Sequence, residues 1–171
     1  PPNEGSSFGV LIVREDATHP PQQLYADDWP YGDIVMAEKF VAGRELTVGV
    51  RGDEAFDIIE VVTDNRFYDY DAKYAPGGSK HILPAQISSI VYQNVRMLAV
   101  KAHKALGCRG ISRADFRYDD RPGGSGELIC LEVNTQPGMT TTSLVPDMAA
   151  YAGISFPDLV KWMVEDASCN R

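Results

Sequence analysis

The 171-residue sequence predicts an α+β fold, on three observations. Strand-like stretches crowd the first third, a long apolar-striped helix follows, and a second strand pair is closed by a last helix. Strands dominate before a long loop and helices frame the second part, which is the pattern of the α+β class.

Residues 8–13 (FGVLIV), 34–41 (IVMAEKFV), 45–51 (ELTVGVR) and 55–62 (AFDIIEVV) read as strands, because β-branched and aromatic residues fill them and Gly or Asp breaks separate them. Between the last two, Gly52-Asp53 reads as a tight hairpin turn. Residues 64–84 (DNRFYDYDAKYAPGGSKHILP) have no periodicity and are rich in Tyr, Asp, Gly and Pro, the signature of a long loop or lid. Pro84 is expected to open a helix whose stripe is Ile87, Ile90, Val91, Val95, Leu98, Ala102 and Leu106, and Gly107 stops it. His103 on that helix reads as a packing residue rather than a ligand. Residues 111–118 (ISRADFRY) and 128–134 (LICLEVN), joined by DDRPGGSGE, form a hairpin signature. After Ser155, Phe156, Leu159, Val160, Met163 and Val164 mark the last helix, with Pro157 tolerated in its first turn.

Composition narrows the function. A net charge of −8 argues against non-specific binding to nucleic acid or to an anionic membrane. No apolar run approaches the roughly 20 residues of a membrane span, and FGVLIV lacks the basic flank of a signal peptide. Cys108, Cys130 and Cys169 form an odd set without CxxC spacing, which reads as reduced packing thiols in a cytosolic protein. The chain starts without Met at PPNEGSS, as though cut from a longer protein.

The stretch LICLEVNTQPGMT carries a carboxylate and an amide two residues apart in an otherwise apolar strand. Burying a charge costs several kcal/mol unless something pairs it, so a cation is suspected. A turn centred on Gly123-Gly124 places Asp115 opposite Glu132 and Arg113 opposite Asn134, all on one face. Ala114, Phe116, Ile129, Leu131 and Val133 would take the other. Opposed carboxylates with an amide oxygen suit Mg²⁺ carrying substrate phosphates. A structural cluster in which Arg113 neutralises one acid explains the same spacing, and the residues alone leave both readings open.

Three further stretches have two readings each. NEGSSFG is either an ordinary Gly-Ser turn or a loop whose backbone N–H groups cradle phosphate; it is not a P-loop, because GxxxxGK[ST] is absent. Lys73 and Tyr74 lie in the long segment, as solvated loop residues or as part of a closing lid. EKFVAGRE (38–45) is a strand and turn, or a backbone edge for a purine with a downstream Glu on the ribose.

Taken together, EGSSFGV, EKFVAGRELTVGV, YDYDAKY, ALGCRGISRADFRY and LEVNTQPGMTTTSLVP occur in an order that resembles the D-alanine–D-alanine ligases of the ATP-grasp superfamily. The resemblance spans nearly the whole chain and covers the later half of the family's. It implies an ATP-grasp fold, in part, of two lobes with antiparallel sheets and flanking helices. Residues 1–41 would belong to the central lobe, and 42–171, with lid 64–84, to the C-terminal lobe. The amino-terminal substrate domain and two upstream lysines for ATP phosphates would be missing.

The activity implied is ATP-dependent joining of two D-alanines through an acyl phosphate, for peptidoglycan, by a cytoplasmic enzyme that is a homodimer at full length. Two Mg²⁺, with Mn²⁺ able to substitute, would be held by Asp115, Glu132 and Asn134. Glu38 and Lys39, with the backbone at Phe40 and Val41, would form the adenine edge, and Glu45 the ribose contact. Ser6 and Ser7 would lie over phosphates and substrate, Lys73 on the γ-phosphate, and Tyr74 would close the lid onto Ser6. Arg113 and the Gly138 amide resemble the oxyanion hole, and Ser143 and Leu144 the carboxylate site of the second D-alanine. Family members with Phe in the lid tend towards D-lactate, so Tyr74 implies the dipeptide. Another ATP-grasp carboxylate–amine ligase and a non-catalytic Mg-nucleotide-binding fragment remain the alternatives, the first because metal triad and adenine edge recur across the superfamily.

Overall fold

The computed structural model describes residues 10–13, 16–62 and 80–168. The chain divides into two compact units, one of residues 1–40 and 63–79 and the other of 41–62 and 80–171.

The first unit's described part holds a 3₁₀ turn, Gln22–Tyr25, and an edge-on contact between Trp29 and Tyr31. Residues 10–13 and 34–41, expected as strands, are not in strands; residues 8 and 9 lie outside the described residues. Ile34 is 74% and Met36 65% exposed. High β-propensity forms a strand only where another strand takes the backbone hydrogen bonds and a core takes the side chains, and residues 10–13 and 34–40 gain neither among the described residues, Val41 alone being buried.

The second unit is built on one antiparallel sheet. Its strands are β1 (Arg44–Arg51), β2 (Glu54–Ala55), β3 (Ile59–Val62), β4 (Lys80–Ile82), β5 (Ile111–Tyr118) and β6 (Leu128–Asn134). The order is β4-β3-β1-β5-β6, with β2 paired to β1. Arg51 pairs with Glu54 around Gly52-Asp53, the expected hairpin turn, and Gly52 has the positive φ of 59° that such a turn favours. The expected strand 55–62 is interrupted at 56–58, where Ile58 donates its N–H to the Tyr92 hydroxyl instead of a neighbouring strand. β4 falls inside the expected loop 64–84, pairing with β3; residues 63–79 lie outside the described ones.

Helix α1 (Ser89–Ala105) covers one sheet face. Pro84 does not open it: the Ser88 hydroxyl accepts the Val91 N–H and caps the helix four residues later. Its buried residues are Val95, Ala99 and His103, while Ile90 and Leu106 of the expected stripe are exposed. Against them pack Leu46, Val48 and Val50 of β1 and Ala114 and Phe116 of β5, all fully buried. Burying each large apolar side chain is worth about 1.5–3 kcal/mol. His103 is a packing residue, as expected, hydrogen-bonded to Ser112 Oγ at 2.7 Å.

Helix α2 (Leu144–Tyr151), not foreseen, lies on the opposite face at one end of β1. Gly49 makes room for it: a Cβ there would stand 3.2 Å from Met148 Sδ and 2.9 Å from Phe56. Helix α3 (Phe156–Asp166) starts at Ser155 as expected, with Ser155 Oγ capping Asp158 N–H, but of its apolar stripe only Leu159 is fully buried. Cys130 is exposed and Cys108 half-buried, so the packing-thiol expectation fails for Cys130; Cys169 lies outside the described residues.

Candidate active site

The sheet face not covered by α1 carries three cross-strand rungs. Glu45 pairs with Arg117 and Arg117 with Ile129; Thr47 with Asp115 and Asp115 with Glu132; Gly49 with Arg113 and Arg113 with Asn134. The expected register of β5 on β6 therefore holds at both polar rungs. Beyond Asp115 it shifts by one residue, so Phe116 faces Cys130 rather than Leu131. This bulge corrects the expected apolar face: Ile129 moves to the rung of Arg117, and Ile129 and Leu131 are 40% and 48% exposed. A single-residue slip reverses which side of the sheet a side chain takes.

Asp115 is gripped on its own strand. Arg113 donates Nε to Oδ1 at 2.9 Å and Nη2 to Oδ2 at 2.7 Å, and Thr47 Oγ1 donates to Oδ1 at 2.6 Å. A bidentate guanidinium and a hydroxyl fix both the charge and the rotamer of a half-buried carboxylate. Glu132 stands opposite and exposed. Asn134 Oδ1 accepts the Gln136 N–H at 2.9 Å, which turns the chain out of β6 toward Pro137-Gly138. Partial desolvation of the sulfur, followed by the charges of Asp115 and Glu132, pushes the Cys130 thiol up.

The donor set is two carboxylates and an amide oxygen. Among the described residues, no group of three or more His, Cys, Asp or Glu could hold a metal ion. An oxygen-only set of this kind nevertheless fits a hard divalent cation that draws its remaining ligands from water and phosphate.

Gly138 and Ser143 meet next to these rungs in sequence. A Cβ on Gly138 would lie 2.8 Å from Ser143 Oγ. Ser143 Oγ accepts the Thr140 N–H at 3.0 Å and contacts Thr140 Oγ1 at 2.8 Å, so it leaves α2 without a side-chain cap. Leu144 is the first residue of that helix. The turn 138–143 thus packs a bare glycine backbone against a serine at a helix start.

At the other end, Arg117 reaches the entry to β1, donating to the carbonyls of Val41 and Gly43. Val41 is buried and Glu45 half-buried. Glu38, Lys39 and Phe40 belong to the first unit and are not in a regular element there. Ser6, Ser7, Lys73 and Tyr74 lie outside the described residues. Arg117 and Thr47 were not singled out in the sequence, although both sit at the period-two spacing of neighbours that were: Arg117 after Asp115, Thr47 after Glu45.

A family model described as "D-ala D-ala ligase C-terminus" matches residues 1–165. The chain belongs to the D-alanine–D-alanine ligase family. The chain is 67% identical over its whole length to a D-alanine–D-alanine ligase of Methylocella silvestris and 66% to one of Azorhizobium caulinodans, covering 56% of each. It thus spans about half the length of the curated ligases it matches. Among solved structures, it is similar to the ligase of Bacillus anthracis complexed with ATP, at a TM-score of 0.62 and 26% identity, over 75% of this chain and 39% of that one. The fold is the ATP-grasp fold, in part. Among the described residues no helix is long and apolar enough to cross a membrane.

Proposed function

We propose that the complete protein joins two D-alanines to D-alanyl-D-alanine at the expense of ATP, a step of cell-wall precursor synthesis in the cytoplasm, and that this chain supplies the nucleotide and second-substrate half of the site. The observation that carries this reading is the paired register of Arg113 with Asn134 and Asp115 with Glu132, followed directly by the Gly138–Ser143 turn. Membership of the ligase family supports it, as does the ATP named with the Bacillus anthracis structure.

Asp115, Glu132 and Asn134 would hold Mg²⁺, which neutralises the phosphate charge as phosphoryl transfer proceeds. Val41 and Glu45 receive the nucleoside, Val41 through its N–H, since its carbonyl already accepts from Arg117. The carboxylate of the first D-alanine takes the γ-phosphoryl group of ATP, and ADP is the leaving group. The amine of the second attacks the resulting acyl carbon, and phosphate leaves.

During that attack negative charge gathers on one oxygen. Arg113 is suited to receive it: its guanidinium is held by Asp115, which Thr47 fixes in turn, so a positive charge stands in a set orientation. The Gly138 N–H is the second donor, and a fixed donor of this kind is worth about 3–4 kcal/mol in the transition state. Ser143 and the Leu144 N–H, at the start of α2, receive the carboxylate of the second D-alanine. Ser6, Ser7, Lys73 and Tyr74 are assigned to phosphate contact and water exclusion, which an acyl phosphate requires.

The test is phosphate release from ATP with Mg²⁺ and D-alanine, using this chain and the chain extended to the length of its relatives. We expect D-alanine-dependent release from the extended chain alone, with weak Mg·ATP binding by the 171 residues. An extended chain that ignores D-alanine and responds to another amino acid would move the substrate elsewhere in the ATP-grasp superfamily.

A further inference from the structure

We propose that Arg117 is a positioning residue for the nucleotide, holding the ribose-side carboxylate Glu45 and the backbone at Val41 on the strand that carries Asp115. This rests on the reading above, in which Val41 and Glu45 receive the nucleoside.

One guanidinium reaches three points of a five-residue stretch. Arg117 Nε donates to the Val41 carbonyl at 2.9 Å and Nη2 to the Gly43 carbonyl at 3.0 Å, while Nη1 stands 3.5 Å from Glu45 Oε2. The planar fork makes this possible; a lysine ammonium on a flexible stem could not hold two carbonyls and a carboxylate in fixed directions. The stretch has little slack. Gly43 has φ 93°, and a Cβ on it would stand 2.2 Å from the Tyr118 carbonyl, so the chain lies directly on the end of β5.

Arg117 and Asp115 are two residues apart on β5 and share its face. Glu45 and Thr47, their partners on β1, repeat the spacing. Arg117 therefore fixes the nucleoside contact relative to the carboxylate expected to neutralise the phosphates, along one pair of hydrogen-bonded strands. The distance between ribose and phosphate in a nucleotide is set by covalent bonds, so a site reading both ends gains from a rigid spacer. If Arg117 were only a structural tie at the entry to β1, its loss would lower stability without selectively changing nucleotide recognition.

The complete protein, with Arg117→Met, Arg117→Lys and Glu45→Gln, decides this through steady-state kinetics with ATP and with 2′-deoxy-ATP. Arg117→Met is expected to raise KM for ATP by about tenfold or more, with kcat within about twofold and KM for D-alanine unchanged. It should also erase the preference for ATP over 2′-deoxy-ATP, and Glu45→Gln should do the same. Arg117→Lys keeps the charge without the fork and should fall between; it gives the answer alone if the Met variant does not fold. An unchanged KM for ATP and an unchanged preference in the Arg117 variants, with Glu45→Gln still losing that preference, would overturn the proposal and leave the ribose reading standing. Glu45→Gln that keeps the preference would remove the ribose reading and the proposal with it.

Discussion

Asp115 and Glu132 face one another directly across β5 and β6, and Arg113 and Thr47 both bind Asp115. The pair is asymmetric: Asp115 is clamped and half-buried, whereas Glu132 is exposed. Glu132→Gln should therefore leave the fold intact, with a stability change inside about 0.5 kcal/mol. In the complete protein, D-alanine-dependent phosphate release should fall to background. Thermal unfolding and phosphate release on one preparation check this, and retained turnover would take Glu132 out of the catalytic set.

Gly138 lies so close to Ser143 that an added methyl would meet its hydroxyl at 2.8 Å. Gly138→Ala should displace both the oxyanion N–H and the proposed carboxylate contact of the second D-alanine. We expect a loss of kcat/KM for D-alanine of about 10²-fold, on the scale of a removed oxyanion donor, with KM for ATP unchanged. Initial rates at varied D-alanine and fixed ATP measure it.

His103 is buried on the inner side of α1, and burial pushes its pKa below the ordinary 6.5. The unfolded chain then takes up a proton at a pH where the folded chain does not, so protonation favours unfolding. The stabilising effect is full above about pH 6.5 and is lost as pH falls through the lower, folded pKa. Urea unfolding at pH 7.5 and 5.5 should give a smaller midpoint at the acid pH. The difference should shrink in His103→Gln, an amide able to keep the 2.7 Å contact with Ser112 without titrating.

The hairpin was legible from the turn-rich DDRPGGSGE, but next to the turn Tyr118 faces Leu128, one residue off the expected register, and it is the bulge between Phe116 and Asp115 that brings Asp115 opposite Glu132. That bulge was not legible, since nothing local in CLEV says which residue will stand unpaired, and Ile129 was assigned to the wrong face. At Pro84 a common first-turn residue outweighed the better signal, Ser88, whose hydroxyl caps the helix. α2 was missed because it has eight residues and follows a Thr-rich turn, although Val145, Met148 and Ala149 keep helical spacing. The segments 10–13 and 34–41 misled in the opposite direction, carrying strand composition without a partner strand among the described residues. For the site, residue types were readable one by one; Arg117 was not, because its role depends on Val41, Gly43 and Glu45 lying across the sheet from it.

The central claim, that the Asp115–Glu132–Asn134 set holds the cation of a bound nucleotide, is tested most directly by electron paramagnetic resonance of Mn²⁺ with ATP. The complete protein should immobilise Mn²⁺ when ATP is present, and Glu132→Gln should weaken that binding by at least about tenfold, in line with loss of a metal-site ligand. Equal Mn²⁺·ATP binding by both proteins would contradict it.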